Sequence, residues 1–135
     1  MLFRSVFVVR YLSSKTTLTA YSSDASIYAQ IPLVVVQVSS ESEAIEAVLD
    51  AKNRLSSVTP RGGGTGLAGG AVGAGFILDM GQYRNITKID PENQTVQAQI
   101  GIIYDELNLA LKEFGLFFPP DPSSGDSCQD RKSVV

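Results

Sequence analysis

Residues 59–75 read TPRGGGTGLAGGAVGAG and place eight glycines, and no lysine, between two apolar runs. A turn this dense in glycine is suited to one kind of chemistry, bringing main-chain N–H groups close to an anion. Three phosphate-binding designs compete for it. A Walker loop needs Gly-Lys-Ser/Thr, because the lysine neutralises the outer phosphates and the hydroxyl reaches magnesium. With no lysine, that design is excluded. Gly64, Gly66 and Gly69 spell a literal G-x-G-x-x-G, but a dinucleotide fingerprint needs its last glycine to open a helix whose N-terminus holds the pyrophosphate. Here Gly69 is followed by GAVGAG and the strand-like FILDM, which leaves no space for a helix. The third design is a freestanding nest, in which consecutive glycines turn several amides toward one point without side-chain charge. Thr65 can add a hydroxyl donor, and Arg61 either pairs with phosphate or anchors the loop. Glycine density alone is equally compatible with a linker or a tight β-turn region.

The rest of the composition narrows the chemistry further. The chain has 135 residues, enough for one domain with its own core, and 44% of them are hydrophobic. A net charge of −3 argues against nucleic acid or an anionic membrane as the main partner. Cys128 is the one cysteine, so neither an intrachain disulfide nor a multi-cysteine zinc site can form. Histidine is absent, which removes Ser-His-Asp and Cys-His catalysis and the commonest general base near neutral pH. Any chemistry is therefore carried by a cofactor or by residues outside this chain.

The elements that must position the loop are legible as patterns. PLVVVQV (residues 32–38) is a β-branched run suited to a strand buried on both faces. SSESEAIEAVLDAKNR then predicts a helix, with Ser40 and Glu43 at capping-box spacing and Ala44, Ala47, Val48 and Ala51 on one face. SSVTP predicts a short strand stopped by Pro60, and FILDM a third strand, so that the order suggests a parallel βαβ unit. NITKIDPENQTVQAQI predicts a hairpin with Pro91 at the second turn position and Asn93 at positive φ. IYDELNLALKEFG predicts a second helix with Tyr104, Leu107, Leu111 and Phe114 on one face, stopped by Gly115. A short extended segment and a Pro/Ser/Asp loop follow. The expected class is α+β, a small parallel βαβ unit followed by an antiparallel hairpin and helix.

The two ends read as foreign to this pattern. Residues 1–20 are basic and Ser/Thr-rich, a weak match to an organellar transit peptide. Met1–Ser5 also matches one strand of a common sequencing adapter, translated from a GTG start, and residues 130–135 match the opposite strand up to a stop. The expectation is a lead-in over 1–20, with 1–5 adapter-derived, a partial domain over 21–128, and a non-native tail over 129–135, in which Gln129 can still be native. Two natural tails are the alternative. No targeting inference rests on residues 1–5, and the cytoplasm or the cytoplasmic face of a membrane is the expected compartment.

PRGGGTGLAGGAV after a βα unit, with YSSDASIY upstream and FFPPDPSSGDSC downstream, resembles the PCMH-type FAD-binding domain of the vanillyl-alcohol oxidase superfamily. The likeness is strongest to its D-lactate dehydrogenase, glycolate oxidase and D-2-hydroxyglutarate dehydrogenase members, and it runs from about Tyr21 to Cys128. Three segments in the right order make it far more specific than any one of them. The resemblance implies that Pro60 closes the strand before the loop and that the pyrophosphate loop runs from Arg61. Gly62, Gly63, Gly64, Thr65 and Gly66 would take the diphosphate on their main-chain groups, and Leu67, Gly69 and Gly70 would line the cofactor. A second FAD segment maps to Asp121, Pro122, Ser123, Ser127 and Cys128, where Cys128 reads as a small packing residue beside the flavin. Tyr21 and Tyr28 read as core aromatics.

Two departures from the family pattern matter. Members that attach FAD covalently through this loop carry Arg-Ser-Gly-Gly-His, whereas Gly64 and Thr65 stand here, so FAD would be held non-covalently at the loop. After Cys128 the family continues with Ile-Gly-Gly and an Asn-rich segment, and this chain has QDRKSVV instead. The domain is thus expected to be incomplete at its C-terminus, without the substrate half and its catalytic base. For a longer parent the resemblance implies oxidation of a D-2-hydroxy acid to the 2-oxo acid with hydride passing to flavin, and an electron-acceptor or peripheral membrane partner not visible here. An alcohol or aldonolactone oxidase of the same superfamily, or a non-catalytic orphan fragment, are the other readings.

Overall fold

The computed structural model describes residues 9–120 and 123–129. Its elements are β1 (Arg10–Leu12), α1 (Lys15–Ala20), β2 (Val34–Gln37), α2 (Glu41–Asn53), β3 (Val58–Arg61), β4 (Phe76–Asp79), β5 (Ile86–Asp90), β6 (Thr95–Ala98) and α3 (Tyr104–Lys112). The first four strands form one sheet in the order β1-β2-β4-β3, and β5 and β6 form a separate hairpin.

The parallel unit expected from the β-branched runs is present, with one strand inserted. Both β2 and β3 pair in parallel with β4, so the helix α2 connects two strands that flank β4. Val34, Val36 and Val38 face α2 together with Phe76, Leu78 and Met80, and Ala47 and Ala51 are the helix positions small enough to lie on them. On the opposite face the register partners Val35 and Ile77 are fully buried as well. Burial on both faces is why these strands read as unbroken apolar runs. Val48, expected on the buried face of α2, is 45% exposed.

Two further departures have local causes. Pro60 lies inside β3, opposite Leu78, instead of ending it. β3 is an edge strand, where a residue that brings no N–H to the ladder is tolerated. Residues 9–20, within the stretch read as a lead-in, supply β1, antiparallel to β2, and the short helix α1. In the hairpin turn the positive φ falls on Gln94, because Asn93 is held by Asp90, which accepts from its backbone and side-chain nitrogens at 3.1 Å.

The hairpin and α3 build a second core from Val96, Ile102, Leu107 and Leu111, closed by Leu116 and Phe118. Phe114 stays 48% exposed, off the face it was expected to share. No helix among the described residues is long and apolar enough to cross a membrane.

Candidate functional site

Strands β3 and β4 are parallel neighbours, so residues 62–75 must travel back along the sheet to reach the start of β4. They do so without forming a helix, as their composition requires. Gly64 and Gly69 sit at φ +69° and +72°, a region closed to most side chains. Space agrees with the dihedrals: a Cβ on Gly64 would stand 2.8 Å from Arg61 Nη2, and one on Gly69 2.5 Å from Tyr28 Cδ2. A Cβ on Gly63 would run into the carbonyl oxygen of Ser127. The loop and the segment 123–129 therefore approach closely only because Gly63 has no side chain.

Beneath the loop lies a polar cluster. Arg61 donates through Nη1 to the carbonyl oxygens of Tyr21 and Ala71, each at 3.3 Å, and its guanidinium stands 5.0 Å from the Tyr21 ring centroid. The Tyr21 hydroxyl donates to Asp79 Oδ2 at 2.5 Å, and Asp79 Oδ1 accepts from the Gly81 amide. Burial, the hydrogen bond to Asp79 and the charge of Asp79 push the Tyr21 phenol up to about 12, against a smaller opposing effect of Arg61. Asp24 accepts from the amides of Ser26 and Ala71. Hydrogen bonding from the Ser26 side chain, joined by those amides and by Arg61, holds the Asp24 carboxyl below its ordinary range. Tyr21 is thus half-buried and polar in its bonding, while Tyr28, expected in the core, is 58% exposed and covers Gly69.

Above the cluster a cleft of about 330 Å³ is lined by residues 62–68, Gly70, Ala71, Cys128 and Gln129. The amides of Gly62, Gly63, Gly64, Thr65 and Gly66 have no acceptor among the described residues. Among the described residues no charged side chain lines the cleft. It is a place suited to an anion bound by main chain.

The sequence-expected residues divide as follows. Gly62, Gly63, Gly64, Thr65, Gly66, Leu67, Gly70 and Cys128 share the cleft. Arg61 lies below it, Gly69 lies under Tyr28, and Pro60 belongs to β3. Ser127 packs its backbone on Gly63, while Ser123 is exposed. Asp121 and Pro122 lie outside the described residues. Ala68, Ala71 and Gln129 line the cleft without having been singled out. The two alanines continue the run of small residues and were readable on that ground. Gln129, at the start of the expected tail and allowed there as native, pairs with Ile103 and lies against Gly62. Among the described residues no group of His, Cys, Asp or Glu is placed to hold a metal ion.

Comparison with known proteins gives a consistent picture. A family model described as FAD binding domain matches residues 32–129. D-2-hydroxyglutarate dehydrogenase of Escherichia coli (strain K12) is 45% identical over 109 residues, covering 78% of this chain and 11% of that protein. Glycolate oxidase subunit GlcD of Bacillus subtilis (strain 168) is 35% identical over 107 residues, covering 77% of this chain and 23% of that one. Among solved structures, an alkyldihydroxyacetonephosphate synthase superposes with a TM-score of 0.79 at 20% identity, over 89% of this chain and 25% of its own. That likeness shows the fold, and the expected mixed α+β, PCMH-type architecture is the one observed. The chain spans about a tenth to a quarter of the length of these relatives.

Proposed function

The chain belongs to the FAD binding domain family, and from that premise we propose that its glycine loop cradles the diphosphate of a non-covalently bound FAD. The loop would serve a longer flavin-dependent oxidoreductase that converts a D-2-hydroxy acid of the lactate, glycolate or 2-hydroxyglutarate type to the 2-oxo acid. One observation carries the cofactor reading. The amides of residues 62–66, without an acceptor among the described residues, line a cleft to which those residues bring no charged side chain, which suits an anion whose charge is spread over several oxygens.

FAD supplies the redox chemistry when bound. The chain's own residues bind and place it. Gly62, Gly63, Gly64, Thr65 and Gly66 hold the diphosphate through main-chain donors, with the Thr65 hydroxyl adding another. Leu67, Gly70 and Cys128 line the cleft around it, and Gly69, Ser123 and Ser127 are flanking cofactor contacts. Gly64 and Thr65 offer no histidine for attachment, so the cofactor is retained by contacts alone. At about 330 Å³ the cleft is at the small end of ligand sites, which run from about 300 to 1,000 Å³, so it holds part of a dinucleotide and the longer parent supplies the rest. The hydroxy-acid class is favoured over an alcohol or aldonolactone by the likeness to relatives named for hydroxy acids. An electron acceptor docks on the parent, in the cytoplasm or at the cytoplasmic face of a membrane.

Titration of the purified chain with FAD tests the cofactor claim. The expected result is a saturable change in flavin fluorescence, with a yellow protein that releases all its flavin on acid precipitation. A protein left colourless by excess FAD would remove the claim for this chain, and flavin retained in the acid pellet would remove the non-covalent assignment.

A further inference from the structure

The glycine loop is bracketed by its own first residue. Arg61, at the end of β3, donates to the carbonyl oxygen of Ala71, where the glycine-dense part of the loop ends, and to that of Tyr21, from the distant N-terminal segment. Its guanidinium also lies over the Tyr21 ring, and Nη2 fills the space beside Gly64. The ring is fixed in turn by its hydroxyl bond to Asp79, the residue opposite Arg61 in the β3–β4 register. Two more bonds tie the same segments together: Ala25 N donates to Gly64 O at 2.9 Å, and Ala71 N to Asp24 Oδ2 at 3.3 Å.

We propose that Arg61 is a positioning residue for diphosphate binding, acting through Tyr21 and Ala71 on the amides of residues 62–66, and is not itself a phosphate ligand. This inference rests on the FAD reading. The residue type left both roles open; the bonding separates them. Arg61 lines no part of the cleft, its Nη1 is committed to two carbonyl acceptors, and its face lies over the Tyr21 ring. In place, it pre-pays the ordering of a glycine-rich backbone, which otherwise loses more conformational freedom on binding than any other. Lysine cannot substitute, because an ammonium has no face to stack on the Tyr21 ring and no second terminal nitrogen to fill the space beside Gly64 while the first holds both carbonyls.

Calorimetric titration of the full chain with FAD, ADP and AMP separates the alternatives, using the wild type, Arg61→Lys, Arg61→Gln and Tyr21→Phe. The readout is the ratio of ADP to AMP affinity, which isolates the second phosphate. A variant that is only partly folded weakens both nucleotides by the same factor, so the ratio is unmoved by loss of stability alone. Positioning predicts that Arg61→Lys and Arg61→Gln lower the ratio alike, by about tenfold, the equivalent of one charged hydrogen bond. Tyr21→Phe, which changes no charge, lowers it by about threefold. Arg61→Lys with a wild-type ratio beside a depressed Arg61→Gln would identify direct charge pairing and overturn the proposal. So would wild-type ratios in all three variants. Wild-type protein that binds FAD but does not prefer ADP to AMP overturns the positioning role and leaves the FAD reading standing. Failure to bind any of the three overturns both.

Discussion

Tyr21 and Asp79 are joined by a hydroxyl–carboxylate hydrogen bond of 2.5 Å that links the C-terminal cap of α1 to the last residue of β4. The bond makes the N-terminal segment part of the floor under the glycine loop, since the same tyrosine carries Arg61 on its face. It also gives the fold an alkaline signature. The Tyr21 phenol is pushed up to about 12, whereas a tyrosine in the unfolded chain titrates near ~10. Between those values the unfolded chain loses a proton that the folded one keeps. Stability from this group is therefore complete below about pH 10 and is lost as pH rises toward 12. Removing the hydroxyl in Tyr21→Phe should cost about 1–2 kcal/mol at pH 8, as expected of a partly buried hydrogen bond to a carboxylate. Urea unfolding of both proteins from pH 8 to 11.5 should show that gap narrowing above about pH 10. A gap that stays constant with pH would mean the phenol is not perturbed.

Gly63 and Gly115 make a matched pair of tests. Alanine at Gly63 collides with the Ser127 carbonyl, so the loop and the segment 123–129 must part. The expected loss of FAD affinity is tenfold or more, or about 1.4 kcal/mol. Alanine at Gly115, at φ +69°, meets nothing within 4 Å and adds backbone strain alone. That substitution should cost about 1 kcal/mol of stability and leave FAD affinity unchanged. Wild-type affinity in the Gly63 variant would place the cofactor away from this loop.

What was readable beforehand follows from where each signal resides. β2 and β4 are buried on both faces, so their identity is written in consecutive residues, Val34, Val35 and Val36 against Phe76, Ile77 and Leu78. The glycine loop was legible for the same local reason, because the lack of lysine and of a following helix excluded two designs. β1 was not legible: Arg10 and Tyr11 are exposed and its existence depends on pairing with Gln37 and Val36. The role of Arg61 was equally hidden, since its partners Tyr21 and Ala71 are set by tertiary approach. Spacing placed the cap of α2 correctly but missed two bonds: Glu43 accepts from the amide and hydroxyl of Ser39, one residue before the cap.

That cap is itself testable. Ser40 Oγ accepts from the Glu43 amide at 3.3 Å, while the buried Glu43 carboxylate takes both donors of Ser39. Ser40→Ala should cost about 1 kcal/mol, the usual worth of an N-cap hydroxyl. The loss should appear as a lower thermal midpoint with no change in FAD affinity, because α2 packs on the sheet and lines no part of the cleft. Weakened FAD binding in this variant would show that the helix and the loop are coupled.

Both long helices end in the same way and differ in one residue. Ser56 N donates to Ala51 O and Leu55 N to Lys52 O, while Leu116 N donates to Leu111 O and Gly115 N to Lys112 O. This pattern of paired bonds requires a left-handed residue just past the cap. α3 uses Gly115 at φ +69°, but α2 uses Leu55 at φ +51°. The Leu55 side chain is 96% exposed, so little apolar burial offsets the strain of its backbone. Glycine there relieves about 1–2 kcal/mol of left-handed strain and returns about 0.4–1 kcal/mol through a freer unfolded chain. Leu55→Gly should therefore stabilise the fold by up to about 1 kcal/mol, read as a higher urea midpoint at unchanged slope. A destabilised variant would mean that the Leu55 side chain, just past a helix on which Ile45, Val48 and Leu49 are also exposed, is covered in solution.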